Sequence, residues 1–207
     1  MILEDGTGTG YKGGVDKNFQ LHVLAETETI IQDAVVKGNA YNINTGYIDL
    51  TSTGGASGTD SAILYFKNNE SPVNGESSIF IDSIIVGINN GGTHSKTPEM
   101  TVIKAPTAGT IISGASAVSV NSNRNFGNSG ELASLVYKGA DANTLTGGTT
   151  FLPAFLTVNS RSVIAIDTLL KKGSTMGIKI NPYLSSGTAR VYIALVLHRV
   201  DGNNQLG

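Results

Sequence analysis

The chain has three histidines, His22, His94 and His198, the side chains best suited to metal or acid–base chemistry. His22 and His198 fall in segments of strand character, and His94 follows the glycine-rich Asn89-Asn90-Gly91-Gly92. No two of them stand at a metal-ligand spacing and no carboxylate sits beside two of them, so they read as ordinary surface or sheet histidines. Asp141-Ala142-Asn143-Thr144 begins like a calcium loop. It lacks the terminal bidentate glutamate and its glycine is displaced, so an Asx-turn is the reading. Gly55-Ala56-Ser57-Gly58 falls short of a nucleophile elbow. Gly6-x-Gly8-x-Gly10 has neither the flanking strand and helix nor the Gly-Lys-Ser/Thr of a phosphate loop. Glu26 with Glu28, or Glu70 with Glu76, can act as a glycosidase pair only if the fold brings two carboxylates together, which spacing does not decide. Asn69-Glu70-Ser71 fits a glycosylation sequon and is taken as a chance match. The sequence therefore assigns no catalytic, cofactor-binding or metal residue, and no enzyme activity is expected.

Composition narrows the class further. In 207 residues, 40% are apolar and 14% charged, against roughly 25% charged in an average soluble domain. A net charge of −2 gives no electrostatic footprint for nucleic acid and no polybasic membrane patch. With no cysteine there are no disulfides, thiolates or sulfur-ligated zinc sites. The amino terminus lacks the basic and apolar regions of a secretory signal, and no apolar run reaches the roughly 18 residues of a membrane span. The absence of tryptophan lowers the prospect of a sugar platform.

The elements that must carry any site are strands. The organising stretch is Ser78 to Ile88, β-branched, alternating in its first half and apolar on both faces from Ile84 to Ile88. Ala62 to Phe66 is apolar on both faces, and Met176, Ile178 and Ile180 alternate with Thr175, Gly177 and Lys179. Ala189 to His198 forms the last strand. Further strands are predicted at Phe19 to Leu24, Met100 to Ile103, Thr110 to Ile112, Ala117 to Val120, Leu132 to Tyr137 and Val163 to Ile166. Phe151 to Val158 is predicted as an edge or bulged strand because of Pro153. Asn44-Thr45-Gly46 predicts a hairpin between Ala40 to Ile43 and Tyr47 to Thr51, with Gly46 at positive φ. Over residues 26–37 the threonine and β-branched content favours strand or irregular structure over a helix. Lys67 to Gly75 and residues 121–130 read as polar turn and loop, the latter carrying Arg124 and Phe126.

These segments predict an all-β chain: an antiparallel β-sandwich, jelly-roll-like, over residues 19–200, an extended N-terminal arm over 1–18 and a polar tail over 201–207. The arm, glycine-rich at 6, 8, 10, 13 and 14, is expected to order on a neighbour. Val191, Ile193, Leu195 and Leu197 line one face of the last strand and Tyr192, Ala194 and Val196 the other. Since one sandwich core covers one face, the second is expected at a subunit contact of a homotrimer or, as the rival, under loops such as 121–130 folded back over it in a single chain.

An ordered set of segments resembles tailed-bacteriophage virion structural proteins. It comprises Asp5-Gly6-Thr7-Gly8 with Tyr11-Lys12, Tyr41 to Gly46, Tyr65 to Glu70, Pro106 to Ile112, Asn121 to Gly127, and Tyr137-Lys138-Gly139-Ala140. The resemblance implies a virion location and a head decoration or cement role. It implies partners among the major capsid protein or other virion proteins, and no enzyme activity, nucleic acid, membrane or cofactor. A tail- or fibre-associated module binding a host-surface glycan is the alternative, and a virion-associated hydrolase a third reading.

Overall fold

A computed structural model describes residues 2–4, 12–15, 21–22, 30–51, 60–71, 78–113, 116–117, 123–127 and 130–200. Up to residue 30 the description is of the backbone alone. Three short strands come first: β1 (Ile2–Glu4), β2 (Lys12–Val15) and β3 (Leu21–His22), an antiparallel sheet of their own. Gly13 and Gly14, placed by the sequence in an extended arm, pair with Leu3 and Ile2. The rest of the expected arm, the loop 52–59, Val118 to Asn121 and the tail 201–207 lie outside the described residues.

The main body is one long antiparallel hairpin folded across itself. In chain order its strands are β4 (Ala40–Asn44), β5 (Ile48–Thr51), β6 (Ser61–Lys67), β7 (Ser78–His94) and β8 (Glu99–Lys104). Then come β9 (Thr107–Ala108), β10 (Ser116–Ala117), β11 (Leu135–Lys138), β12 (Leu145–Thr146) and β13 (Thr149–Phe155). The chain closes with β14 (Ser160–Leu170), β15 (Thr175–Asn181) and β16 (Leu184–Val200). The pairings nest: β4 and β5 with β16, β6 with β15, β7 with β14, and β8 with β13. Folding this hairpin over makes β16 also pair β7 and β15 also pair β8, which gives two sheets, β14-β7-β16-β4/β5 and β10-β11-β6-β15-β8-β13. First strand against last, in two packed sheets, is the jelly roll. The sandwich expected from the alternating segments is the observed fold.

Between the sheets lie Ile43, Leu50, Ile63, Phe66, Ile81, Ile84, Met100, Ile178, Ile193 and Leu195, all buried. Each such side chain contributes roughly 1.5–3 kcal/mol on leaving water. Met176, Ile178 and Ile180 face this core as their alternation predicts. β13 is a sheet edge with a bulge between Thr150 and Leu152, as Pro153 led us to expect. The long connection from β8 to β13 folds onto the outside of its own sheet. There Ile111 and Leu145 cover Ala62 and Tyr65 in a second, smaller cluster.

Four expectations are corrected. Asn89 to Gly92 is not the end of a strand: β7 runs through it to His94, opposite Arg190 to Leu184 of β16. A Cβ on Gly91 or Gly92 would run into the carbonyl oxygens of Thr188 or Ser186, so these glycines serve close backbone approach. The segments around Asn44-Thr45-Gly46 do not pair with each other, since both pair with β16. Gly46 does sit at φ +66°, but the Thr45 hydroxyl accepts from Ile193 N at 3.0 Å, standing in for a ladder partner and keeping the chain on the same edge. Residues Ile30–Val36 form a helix, α1. It ends in a Schellman motif: Asn39 N donates to Ala34 O at 2.7 Å, Gly38 N to Val35 O at 3.0 Å, and Gly38 has φ +72°. With the Asp33–Lys37 pair at 2.7 Å, this cap outweighs the β-branched content. Thr110 to Ile112 lies in a single helical turn, α2 (Thr110–Ser113), rather than a strand. Thr110 N and Oγ1 each lie 3.3 Å from Thr144 Oγ1, and Thr144 N donates back to Thr110 Oγ1 at 2.8 Å.

Gly91→Ala should lower stability by about 1–3 kcal/mol, the cost of an overpacked site. Gly173→Ala is the control for a glycine in open space: nothing lies within 4 Å of its Cβ position, and its φ of +80° confines the cost to backbone strain. Urea unfolding of both variants reads the difference; an unchanged midpoint for Gly91→Ala would refute the close-approach account.

Candidate assembly surface

The two sheets differ in what covers them. The outer face of the β6-β15-β8 sheet carries the chain's own connection. The outer face of the β14-β7-β16-β4 sheet presents two rows read directly from the pairing. One row is Asn44, Ala194, Ile85 and Val163; the next is Asn42, Val196, Ser83 and Ala165. The rows hold no charged side chain. Ile85, Ala194 and Val196 are half-buried and Val163 is 62% exposed. Ala194 and Val196 belong to the second face of the last strand singled out in the sequence.

The polar borders of this face are built, not incidental. Above it the Tyr192 ring occupies the space over Gly87 where a Cβ would stand. Tyr47 meets Tyr192 edge-on at 5.6 Å. Arg190 lies 5.9 Å from the Tyr47 ring centre and donates from Nε to Asp49 Oδ1 at 2.9 Å. That bond, and the Asp49 charge, raise the guanidinium further above its ordinary value. Below it, His198 Nδ1 stands 3.2 Å from Asp82 Oδ2 and its ring packs on Phe80 at 5.2 Å. Asp82 and Ser83 both face outward, which shifts the pleat of β7 so that Ile79 and Ile81 on one side and Ile84, Val86 and Ile88 on the other all reach the core.

Of the side chains that the sequence flagged for chemistry, the described ones are spread apart and spent on structure. His94 ends β7, and its Nδ1 lies 2.6 Å from the Pro182 carbonyl, which fixes Nδ1 as the donor and leaves Nε2 buried without a partner among the described residues. His22 lies in β3, and its side chain, like Glu26, Glu28, Glu76 and the segment 55–58, is outside the described residues. Asp141 caps loops as expected of an Asx residue: its Oδ2 accepts from Thr51 N at 3.0 Å and Thr51 Oγ1 at 2.6 Å, and its Oδ1 from Ala142 N at 3.1 Å. The turn from Lys67, read as polar and solvated, is in fact interior at Asn68 and Glu70. Asn68 Nδ2 donates to Leu170 O at 2.7 Å, and Glu70 Oε1 accepts from Ser134 N and Oγ at 3.0 Å each. Arg199 Nε approaches Glu70 Oε2 at 3.8 Å. Nothing in a lone Asn-Asn-Glu sequence signals burial; the pairing partner arrives from 64 residues away.

Two phenols titrate above their ordinary value. Tyr183 is raised by burial first, then by Glu99, which accepts its hydrogen bond at 3.3 Å. Tyr65 is raised by burial, then by Tyr137. Both shifts hold the phenol protonated, against what a tyrosine base or nucleophile needs. Among the described residues no group of three or more histidine, aspartate or glutamate side chains could hold a metal ion. No described helix is long and apolar enough to cross a membrane.

No family model matches the sequence. No curated protein matches it. Among solved structures the chain is similar to a mutant VP2 protein of infectious bursal disease virus in derived T=1 particles, at 8% identity and a TM-score of 0.30. The match covers 78% of this chain and 36% of that one, so the chain spans little more than a third of that protein's length.

Glu70→Ala should cost about 1–3 kcal/mol, because it leaves the buried Ser134 N–H without its acceptor. Thermal unfolding reads this. A variant as stable as the parent would show that the Glu70 site is wet and dispensable.

Proposed function

We propose that this chain is a structural component of a phage particle, a capsid decoration or cement protein that binds the shell and stabilises it, without enzymatic activity. The observation that carries the reading is the asymmetry of the jelly roll. One sheet is covered by its own connection, while the other, among the described residues, leaves an uncharged, half-apolar face of four strands open. A face of that kind suits contact with another protein surface. The segments that resemble virion proteins support the reading, because the fold uses them as scaffold. Gly46 makes the turn beside β16, Glu70 anchors Ser134, Asn123 bridges to Tyr41, and Gly139 lies against the Ala62 carbonyl. In this reading the protein is a homotrimer in the virion, and the open face, expected from the sequence at a subunit contact, is assigned instead to the major capsid protein.

The alternative, a tail or fibre module that binds a host-surface glycan, draws on one observation. Tyr47 is exposed at a turn beside Asn44 and Asp49. Selective binding on a glycan array, with no binding to shells, would favour it.

Val196→Asp places a charge in the middle of the open rows. Co-sedimentation of the purified protein with shells should show at least a tenfold weaker Kd for this variant, about 1.4 kcal/mol. Its unfolding midpoint should stay within a few degrees of the parent. Equal binding by parent and variant would rule out this face as the contact.

A further inference from the structure

The loop that carries Arg124 and Phe126 is fixed to the β4 edge of the open sheet. Asn123 bridges to Tyr41, and its Nδ2 donates to Gly38 O at 2.6 Å. Arg124 N donates to Ala40 O at 2.9 Å, and Asn125 Nδ2 to Val36 O at 3.2 Å. Two successive Asx-turns shape the tip: Asn123 Oδ1 accepts from Asn125 N at 2.9 Å and Asn125 Oδ1 from Gly127 N at 3.1 Å. On this braced tip the Phe126 side chain is 100% exposed. A large aromatic held in water by a pre-ordered loop loses little further freedom on docking, which is the property of an interface anchor.

The opposite edge of the same sheet supplies a match. Among the described residues β14 pairs with β7 alone, so its other side is free. It carries Leu169, 45% exposed, beside Asp167, an exposed residue at φ +40° where β14 bulges against β7. Neither Asp167 nor Arg124 has a charged partner among the described residues, and Arg161 is the other charge on β14. The two edges are level. The pairing runs Asn123, Tyr41, Leu197, Ile81, Thr168 straight across the sheet. The anchor and the Asp167–Leu169 patch thus occupy opposite ends of one row.

We propose that copies of this chain join head to tail through these edges, with Phe126 of one copy against Leu169 of the next and Arg124 against Asp167. A contact between two different patches repeats from copy to copy and closes into a ring when the rotation permits. This deepens the oligomeric part of the reading above and rests on it for the biological setting alone. The contact belongs to the isolated protein, so it can fail or stand without any shell.

The chain has no cysteine, which makes a direct test available. Gly127→Cys with Thr168→Cys keeps Phe126 and Leu169 in place and flanks the contact; the row from Asn123 to Thr168 spans four strand spacings, about 19 Å, so the two edges are too far apart for a bond within one copy. Under mild oxidation the double variant should give a ladder of covalent oligomers on a non-reducing gel, with a closed ring as its dominant upper band. Each single-cysteine variant should stop at dimers or below. In parallel, the wild type should sediment as an oligomer at micromolar concentration. Phe126→Ser, at a fully exposed position, should sediment as a monomer with unchanged thermal unfolding. A double variant no more cross-linked than the single ones, or a Phe126→Ser variant as oligomeric as the parent, overturns the contact. A monomeric wild type that still co-sediments with shells overturns the ring and leaves the virion reading standing. A ring that never binds shells does the reverse.

Discussion

The pairing of β7 with β16 is the interaction on which the rest depends. Both strands are 17 residues long, and their register runs from Val200 opposite Ser78 to Leu184 opposite His94. No other pair in the fold is as extensive. Because the two strands are central in their sheet, β14 hangs on one and β4 with β5 on the other. A ladder this long must stay in phase with the core, and two devices achieve that. Outward Asp82 and Ser83 reset the pleat midway, and Gly91 and Gly92 let the far end approach Thr188 and Ser186. The Asp82–His198 contact sits at the reset, where a buried polar pair marks one register and disfavours a slipped one, since a one-residue slip would turn every core residue outward.

Much of this was legible in the sequence because strands write their burial with a period of two. Met176, Ile178 and Ile180, or Val191 to Leu197, announce their faces before any partner is known. Pro153 marked an edge because it cannot donate to a ladder on both sides. The misreadings have a common cause. Glycine pairs, Asn-Thr-Gly and β-branched runs are local signals with more than one solution, and the choice was made at a distance. Gly91 and Gly92 mean a turn unless Gly187 and its neighbours come alongside. Thr45 means a hairpin unless Ile193 takes its hydroxyl. Glu70 means solvent unless Ser134 arrives to meet it. That His22, His94 and His198 share no metal-ligand spacing was legible too. The level placement of Phe126 and Leu169 was not, because it depends on the register of four separate pairings.

The unequal covering of the two sheets links fold to role. Ile111 and Leu145, from the connection between β8 and β13, cover one outer face at Ala62 and Tyr65 and complete a second small core there. The other sheet keeps small and apolar side chains outward in its central rows, bordered by Tyr192, Tyr47 and Arg190 at one end and by Phe80 and His198 at the other. In the proposed particle that face lies on the shell and the sheet edges meet neighbouring copies, so that face and edge serve different contacts. Polar groups buried or half-buried in this chain, Asn68, Glu70, Asp141 and Thr51 among them, are engaged with backbone and hydroxyl partners that hold connections in place. They supply rigidity, which the proposed cement role needs.

The measurement that bears most directly on this account is a cryo-EM map of the particle that contains the chain. The account predicts density for the jelly roll on the outside of the shell, with the Ala194, Val196 and Ile85 rows turned toward the capsid protein and copies joined around a local axis. A map in which the chain is missing from the head, or stands on it with those rows facing solvent, would contradict it.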